Sequence, residues 1–308
     1  MGTGAASSQT TGDCNVIIGR CVIPPSTTAG CQFAIGAGTC RWLRGDSSYN
    51  VCLGNGTAIK AMASGTMCAT CFVGCGAGLT GIAAGFSPDA DENLVAGTDA
   101  GANLDGTYAC WNILLGLNAG KSITDSSRNI AIGCNAMCGT TGSSVRNTTI
   151  GNEAGQHLAG GDDNVFLGSY SGHCVTTTSC NVAIGFYAGA CAQTGQQNVY
   201  IGHNAGFGTG CLGDGSRNVA IGRYALYSIQ GGDCNVAMGY NASMCTTSGS
   251  CNVTLGTEAG KTITTGVENI AIGCKTLGTG TVTGQQNIAI GKNAGTDITS
   301  GSYNILFG

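Results

Sequence analysis

The sequence predicts an all-β protein folded as a β-solenoid (a parallel β-helix or β-roll), and three observations indicate this fold. A five-residue phrase, Asn-apolar-x-apolar-Gly, recurs along the chain, for example as Asn181–Gly185 and Asn218–Gly222. Its copies follow at intervals of about 17 residues, which is too short for a helical hairpin and fits one turn of a solenoid. The 308 residues also include 55 Gly and only 9% charged side chains, as expected for short strands joined by tight corners.

The repeat extends over nearly the whole chain. Clear copies begin at Asn positions 15, 50, 93, 112, 129, 147, 164, 181, 198, 218, 235, 252, 269, 287 and 304, and degenerate copies begin at Gln32, Thr70 and Gly81. Eighteen coils stacked at strand spacing predict a rod about 85 Å long. From position 112 the spacing is nearly constant, whereas residues 1–111 are looser and hold all three prolines. We therefore expect regular solenoid repeats over 112–308 and an irregular N-terminal part with insertions over 1–111.

Each phrase predicts a short strand. The apolar residues at the first and third positions after the Asn, such as Val182 and Ile184, alternate with the residue between them, so we expect these two to form the buried face. An Ala recurs seven residues after the Asn, as at Ala188 and Ala225. Its small size predicts a thin core in which two short strands of one coil face each other.

The Asn and Gly of the phrase are predicted to be structural. Stacked Asn side chains form hydrogen-bonded ladders in cross-β arrays; the alternative is that each Asn forms a turn before its strand. The predicted ladder consists of Asn112, Asn129, Asn147, Asn164, Asn181, Asn198, Asn218, Asn235, Asn252, Asn269, Asn287 and Asn304. Gly suits a corner that needs a positive φ or a close backbone approach. The predicted corner glycines are Gly116, Gly133, Gly151, Gly168, Gly185, Gly202, Gly222, Gly239, Gly256, Gly273, Gly291 and Gly308.

The 19 cysteines recur at particular positions of the repeat. Cysteines one coil apart would be stacked about 5 Å from each other, within the Cα range of a disulfide, while pairings within a loop compete for the same thiols. We expect several disulfides and, with them, an oxidising environment such as the outside of a cell; the alternative is that Cys fills inward positions as a small hydrophobe. The candidates are Cys14, Cys31, Cys174, Cys180, Cys191, Cys234, Cys245 and Cys251.

The composition argues against several classes of function. Only 12 Lys and Arg and a pI near 5.2 are atypical of a nucleic-acid binder, and no apolar run approaches the ~18 residues of a membrane span. The 16 acidic residues are dispersed over the coils and only three His are present. Since catalysis needs convergent titratable groups, we expect no enzyme activity and no cofactor.

Two motifs resemble metal sites incompletely. The cysteines at 68, 71 and 75 lack the fourth ligand of a structural zinc site. The Asp89-x-Asp91-x-Asn93 motif lacks the Gly and the distal Glu of a calcium loop. We therefore expect no bound metal.

Sequons for N-glycosylation occur at four asparagines. Asn147 and Asn252 belong to the Asn column, where a glycan would disrupt stacking. Asn55 and Asn241 are therefore the candidates for modification.

The nonapeptide Asn-Val-Ala-Ile-Gly-x-x-Ala-Gly, present at Asn181–Gly189 and followed by Thr/Gly-rich spacers, resembles the repeats of tail-fibre and other virion-surface proteins of phages and large viruses. It is also similar to the head repeats of YadA-like trimeric autotransporter adhesins, which form a left-handed β-roll. The resemblance covers residues 112–308 well and 1–111 loosely. It implies a fibrous β-solenoid with a role in attachment, and association of chains in threes. The repeat period is shorter in the adhesins, and the high Cys content here departs from them.

The ends of the chain predict self-assembly. The chain stops on a complete phrase, Asn304–Gly308, and a second copy placed after it would bring its Asn15 19 residues beyond Asn304, within the observed spacing. A non-closing head-to-tail contact of this kind generates a filament. The competing explanation is that the 308 residues are a piece of a longer repetitive polypeptide.

We therefore expect a structural, fibre-forming protein, located outside a cell or on a virion surface, whose partner is itself, head to tail, as a single strand or a trimer. The alternative is a receptor- or glycan-binding adhesin or tail-fibre shaft segment. Clustered exposed aromatic side chains would mark such a binding site, and the candidates are Tyr187, Tyr224, Tyr227 and Tyr240. A purely structural stack of rings is the competing explanation for them.

Overall fold

The computed structural model of the chain describes residue 4 and residues 15–21, 28, 33–37, 40–45, 51–53, 88–105, 108–140, 142–209 and 215–308. The chain forms two compact units, Met1–Leu79 and Thr80–Gly308. The first contains β1 (Val16–Arg20), β2 (Phe33–Ala37), β3 (Cys40–Gly45) and β4 (Val51–Leu53). The second contains β5 (Leu94–Ala96), β6 (Ile113–Leu115), β7 (Ile130–Ile132), β8 (Thr148–Ile150), β9 (Val165–Leu167), β10 (Val182–Ile184), β11 (Val199–Ile201), β12 (Val219–Ile221), β13 (Val236–Met238), β14 (Val253–Leu255), β15 (Ile270–Ile272), β16 (Ile288–Ile290) and β17 (Ile305–Phe307).

The second unit is a parallel β-solenoid. Strands β5 to β17 form one sheet in sequence order, and each pairs in parallel with the next, as Val182 does with Val199. One strand per repeat enters this sheet, so each repeat is one coil. The predicted fold class and the repeat of about 17 residues are confirmed. The continuous sheet has thirteen coils rather than the predicted eighteen, and thirteen strands span about 60 Å at the usual strand spacing.

The first unit explains part of this difference in coil number. Strands β1 and β2 pair in parallel with a 17-residue offset, Val16 opposite Phe33. However, β3 runs antiparallel to both β2 and β4, so the copies that begin at positions 32 and 50 do not follow each other as consecutive coils. The copies that begin at positions 70 and 81 lie outside the described residues.

The strands of the solenoid face the opposite way from the prediction. In β10, the middle residue Ala183 is buried, whereas Val182 and Ile184 on either side are only partly buried. The same pattern recurs in β6, β7, β9, β11, β12, β14 and β15. The expectation that the first and third positions form the buried face was therefore wrong: the central residue points into the coil and the larger aliphatic residues point outward.

Three inward columns form the core. The first is the middle residue of each strand, the second is the Ala seven residues after the Asn, and the third lies four residues further on, as at Ile123, Leu158 and Ile229. The chain opposite the strand consists of turns; in the described residues only the isolated bridge between Ile263 and Val282 adds pairing there. The expected second strand of each coil is therefore absent from the described part.

Two core positions are complementary in side-chain size: the middle residue of each strand and the residue eight positions after the Asn. Where the strand carries a large inward residue, Gly stands eight residues after the Asn: a Cβ on Gly172 would approach the ring of Phe166 to 2.8 Å, and one on Gly206 would overlap the ring of Tyr200. Where the strand carries Ala, that position often holds a large buried side chain. Such pairs are Ala131 with Met137, Ala220 with Leu226 and Ala271 with Leu277. This complementarity keeps packing dense along the thin rod.

Candidate functional site

The Asn column forms a continuous internal ladder. In twelve steps from Asn93 to Asn304, each Asn Oδ1 accepts a hydrogen bond of 2.8–3.1 Å from the backbone N–H of the Asn in the next coil. Each Nδ2 from Asn93 to Asn287 donates, over 2.7–3.0 Å, to a backbone carbonyl of the following coil. From Asn93 to Asn287 these side chains are almost fully buried, so they satisfy backbone groups that water does not reach.

Backbone conformation and steric crowding explain why Gly recurs at the corner position of every coil. From Gly116 to Gly291 the φ angles lie between 114° and 142°, where other residues rarely occur. A Cβ on Gly185 would lie 2.7 Å from the carbonyl oxygen of Gly202, and one on Gly168 would lie 2.7 Å from that of Gly185. Conformation and close approach of successive coils therefore both require Gly at this corner.

The residue before each ladder Asn forms an exposed column. From Glu92 to Tyr303 all thirteen residues of this column have φ near +60°, and neighbouring side chains contact along the rod. Arg146 Nη2 bonds Asp163 Oδ2 at 2.9 Å, and this hydrogen bond lowers the pKa of the Asp163 carboxyl. Such exposed pairs add little stability.

The candidate cysteines that the structure describes form no disulfide. The described candidates, Cys174, Cys180, Cys191, Cys234, Cys245 and Cys251, are thiols, and Cys14 and Cys31 lie outside the described residues. Cys234 and Cys251 occupy the column before the Asn in adjacent coils and interact as thiols, and burial is the main cause that raises the pKa of Cys251. Disulfide formation is therefore not supported in the described part of the chain.

The structure also corrects the glycosylation candidates. Asn241 is only 6% exposed, so its amide has no access to a glycosylating enzyme in the folded coil. Asn55 lies outside the described residues.

Nine aromatic side chains form a connected cluster, here called the aromatic cluster, on the turn side of five consecutive coils. Its members are His157, Tyr170, His173, Phe186, Tyr187, His203, Phe207, Tyr224 and Tyr227. Tyr170 and Tyr187 stack with centroids 4.6 Å apart, and Phe207 stacks on Tyr227 at 5.1 Å. Phe186 is 45% exposed. Three of the four predicted tyrosines thus belong to the cluster, whereas Tyr240 is exposed and has no ring contact among the described residues.

Polar groups accompany these rings. His173 Nε2 lies 3.2 Å from Glu153 Oε2, and the Arg223 guanidinium lies 4.8 Å from the Tyr224 ring centroid. Desolvation, together with nearby Tyr170, raises the pKa of the Tyr187 phenol. The buried His203 Nδ1 has no hydrogen-bond partner. Tyr187, Tyr224 and Tyr227 were predicted candidates. For the other members of the cluster, the only signal in the sequence is that all three His and several Tyr and Phe occur between 157 and 227.

The outer side of the long sheet is a second surface of note. The first and third residues of β5–β17 form two columns along the rod, here called the outward aliphatic face. Of its 26 residues only Thr148 is polar and none is charged. Ile150, Met238 and Ile290 are among its most exposed members. This surface was not predicted from the sequence, because the first and third residues of each strand were expected to lie in the core.

The last coil presents an open sheet edge. Strand β17 pairs with β16 and is the outermost strand of its sheet. Ile305 is 69% and Phe307 76% exposed. The unpaired backbone groups of such an edge are a template for a further strand.

Within the described residues no group of three or more His, Cys, Asp and Glu side chains is placed to hold a metal ion. No helix in that part of the chain is long and apolar enough to cross a bilayer.

No family model, no curated protein and no solved structure matches the chain. The β-solenoid with repeats of about 17 residues is compatible with the repeats of fibre and adhesin proteins, but that compatibility concerns the architecture alone.

Proposed function

We propose that the protein is a structural element of a fibre, a stiff rod that extends by stacking further coils of the same kind on its open edge. Membership of the tail-fibre or adhesin repeat families, and a location outside a cell or on a virion surface, are part of this proposal and rest on the sequence resemblance. The observation that carries it is the step between neighbouring coils, which repeats in parallel and in register from β5 to β17 without closing on itself.

The contact that we propose repeats the one already present between neighbouring coils. At each internal step the ladder Asn, the strand and the corner Gly contact the corresponding residues of the next coil. In the last step, for example, Ile288 is paired with Ile305. Strands β1 and β2 of the first unit pair in parallel with the same 17-residue offset, so that unit also contains strands of the required type. Addition of a second copy at β17 would give a heterologous, non-closing contact, which produces filaments.

Sedimentation velocity tests this proposal with an edge variant, Ile305→Lys with Phe307→Lys. Charges on the edge strand oppose strand addition, so we expect polymers in the wild type and a loss of at least ten-fold in polymer mass in the variant. The control carries Thr177→Lys with Ser248→Lys, two exposed positions away from the edge, and retains the wild-type profile. A wild type that sediments without end-to-end polymers would contradict the proposal and favour the explanation that the chain is a segment of a longer polypeptide.

A second function, binding of a receptor or glycan, is favoured by the aromatic cluster. Coils outside the cluster hold Asn135, Asn241, Glu258 and Lys275 at the position that carries Tyr170, Tyr187 and Tyr224 within it. The fold therefore does not require rings there. Exposed aromatic rings beside Arg, His and Glu side chains are typical of recognition surfaces.

Binding to an immobilised panel of neutral oligosaccharides tests this second function. Phe186→Ser with Tyr224→Ser removes rings from the cluster. Tyr240→Ser is the control, because Tyr240 is as exposed as Phe186 but lies outside the cluster. We expect the double variant to lose at least ten-fold in binding and the control to keep it. Equal binding by all three proteins, or no binding by the wild type, would contradict a binding function and indicate that the rings form a purely structural stack.

A further inference from the structure

We propose that Cys174 is a modification site, whose thiol is activated by His173 and is oxidised by hydrogen peroxide to a sulfenic acid. The reaction is a stoichiometric modification of the chain and not a turnover. It is independent of both functions proposed above, because it needs neither assembly of the rod nor a bound glycan.

The imidazole of His173 lies between a thiol and a carboxylate. Its Nδ1 atom is 3.1 Å from Cys174 Sγ, and its Nε2 atom is 3.2 Å from Glu153 Oε2. The His173 and Glu153 side chains are only 22% and 24% exposed, and Cys174 is also partly buried. A nucleophile within hydrogen-bond reach of a base, with a third group that orients the base, is the general arrangement of an activated nucleophile.

The carboxylate of Glu153 determines which nitrogen of His173 carries the proton. An ionised carboxylate can only accept hydrogen bonds, so the Nε2–H of His173 donates to it. The Nδ1 atom then keeps its lone pair and accepts the hydrogen bond of the Cys174 thiol. His173 is therefore placed to take up the thiol proton when the sulfur attacks, and Glu153 is a positioning residue that stabilises the imidazolium formed in this way.

The backbone around Cys174 argues against a carbonyl compound as the reaction partner. Attack on a carbonyl develops an oxyanion, which N–H donors must stabilise. The N–H of Cys174 already donates to the carbonyl oxygen of Ala190 over 2.7 Å. The N–H of Val175 donates to that of Gly172 over 3.3 Å. Displacement at a peroxide oxygen forms no tetrahedral oxyanion and does not need these donors.

A peroxide uses His173 both as a base and as an acid. The Cys174 sulfur bonds to one peroxide oxygen while the O–O bond breaks, and the thiol proton moves to His173 Nδ1. His173 then gives this proton to the departing hydroxide, which leaves as water. The sulfur is oxidised by two electrons to the sulfenic acid and the peroxide is reduced to water. Because the pKa of water is about 15.7, hydroxide is a poor leaving group unless it is protonated.

The oxidation is reversible by thiols. A small thiol condenses with the sulfenic acid of Cys174 with loss of water, and a second thiol then displaces the first and restores the Cys174 thiol.

The chain contains a matched thiol that lacks this arrangement. Cys245 lies ten residues after its ladder Asn, as Cys174 does, and is also partly buried. Met244 precedes Cys245 at the position that His173 takes before Cys174. A difference in reactivity between the two thiols therefore reports on the His and not on the position in the coil.

Mass spectrometry of dimedone-trapped sulfenic acid measures the reaction of each cysteine with hydrogen peroxide at pH 7. In the wild type we expect Cys174 to react at least ten-fold faster than Cys245. His173→Gln should slow Cys174 at least ten-fold and Glu153→Gln by a smaller factor. His203→Gln is the control, because it removes a His of the aromatic cluster two coils away, and it should keep the wild-type rate.

Alkylation with iodoacetamide separates proton transfer from a change in structure. Iodide leaves without a proton, so His173→Gln should slow the alkylation of Cys174 at least three-fold less than it slows the reaction with peroxide. Circular dichroism and thermal melting show whether each variant is folded, and the comparison of Cys174 with Cys245 in the wild type needs no variant. Equal peroxide rates at these two thiols, or equal slowing of both reactions in folded His173→Gln, would overturn the inference.

Discussion

The Oδ1 atom of Asn164 accepts a hydrogen bond from the backbone N–H of Asn181, 3.0 Å away in the next coil. The Nδ2 atom of the same Asn164 donates to the carbonyl oxygen of Thr178, 2.8 Å away. One short side chain therefore serves two backbone groups of its neighbour. Because this arrangement recurs through the solenoid, the ladder links the coils independently of the β-sheet.

Removal of one ladder side chain should be costly. Asn164→Ala leaves a buried N–H and a buried carbonyl without partners, so we expect a loss of about 2–5 kcal/mol in the free energy of unfolding. The control is Asn103→Ala, which removes an exposed Asn and should change stability by less than about 0.5 kcal/mol. Urea denaturation measures both, and similar losses in the two variants would show that the ladder does not stabilise the rod.

One corner glycine and one glycine outside the corner column offer a matched pair of substitutions. Gly185→Ala places a Cβ 2.7 Å from the Gly202 carbonyl oxygen at a φ of 133°, and we expect a loss of about 3 kcal/mol or more. At Gly231 a Cβ would meet nothing within 4 Å, so Gly231→Ala should be nearly neutral. Differential scanning calorimetry distinguishes them; equal melting temperatures would contradict the tight corner.

The complementary side-chain sizes at Tyr200 and Gly206 predict that a second substitution can restore the stability lost by the first. Gly206→Leu alone drives a side chain into the Tyr200 ring and should destabilise the coil by about 1–3 kcal/mol or more. Combination with Tyr200→Ala recreates the Ala220 and Leu226 pair found one coil later and should recover much of that loss. Thermal melts of the two single variants and the double variant measure the coupling, and strictly additive losses would show that the two positions do not share a cavity.

Buried Tyr200 predicts a loss of stability at high pH. Burial raises the pKa of its phenol above the ordinary value of 10.0, so above that pH the unfolded chain releases the proton and the folded chain keeps it. The stability that the protonated Tyr200 phenol contributes is fully present below about pH 10 and falls progressively as the pH rises further. Tyr200→Phe should flatten the decline of stability between pH 9 and about 11, whereas exposed Tyr108→Phe should not. Identical pH profiles for the wild type and Tyr200→Phe would contradict this assignment.

The repeat predicts the fold because period and corner chemistry are local properties. A spacing of 17 residues from one Asn to the next, and from one Gly to the next, leaves room for one strand and one turn per coil, and the positions of Asn164 and Gly185 in their columns follow from it. Which side of each strand faces the core could not be predicted in the same way. Alternation shows which face of Val182–Ile184 is more apolar, but it does not show whether that face is directed to the core of the same chain or to a partner.

Residues 1–79 show a second limit. The copy of the phrase that begins at position 32 does form a parallel strand against β1, yet β3 then runs antiparallel to it. A regular spacing in sequence does not fix the path of the chain between two copies. The aromatic cluster shows a third limit, because its rings come together only through the stacking of five coils, as with Tyr170 and Tyr187.

Cryo-electron microscopy of the wild-type protein, purified at modest concentration, tests end-to-end stacking of the solenoid by direct observation. We expect long filaments of constant width in which parallel strands stack along the axis at about 4.8 Å and the sheet of one copy continues through β17 into the next. Discrete short rods with β17 exposed to solvent would contradict it.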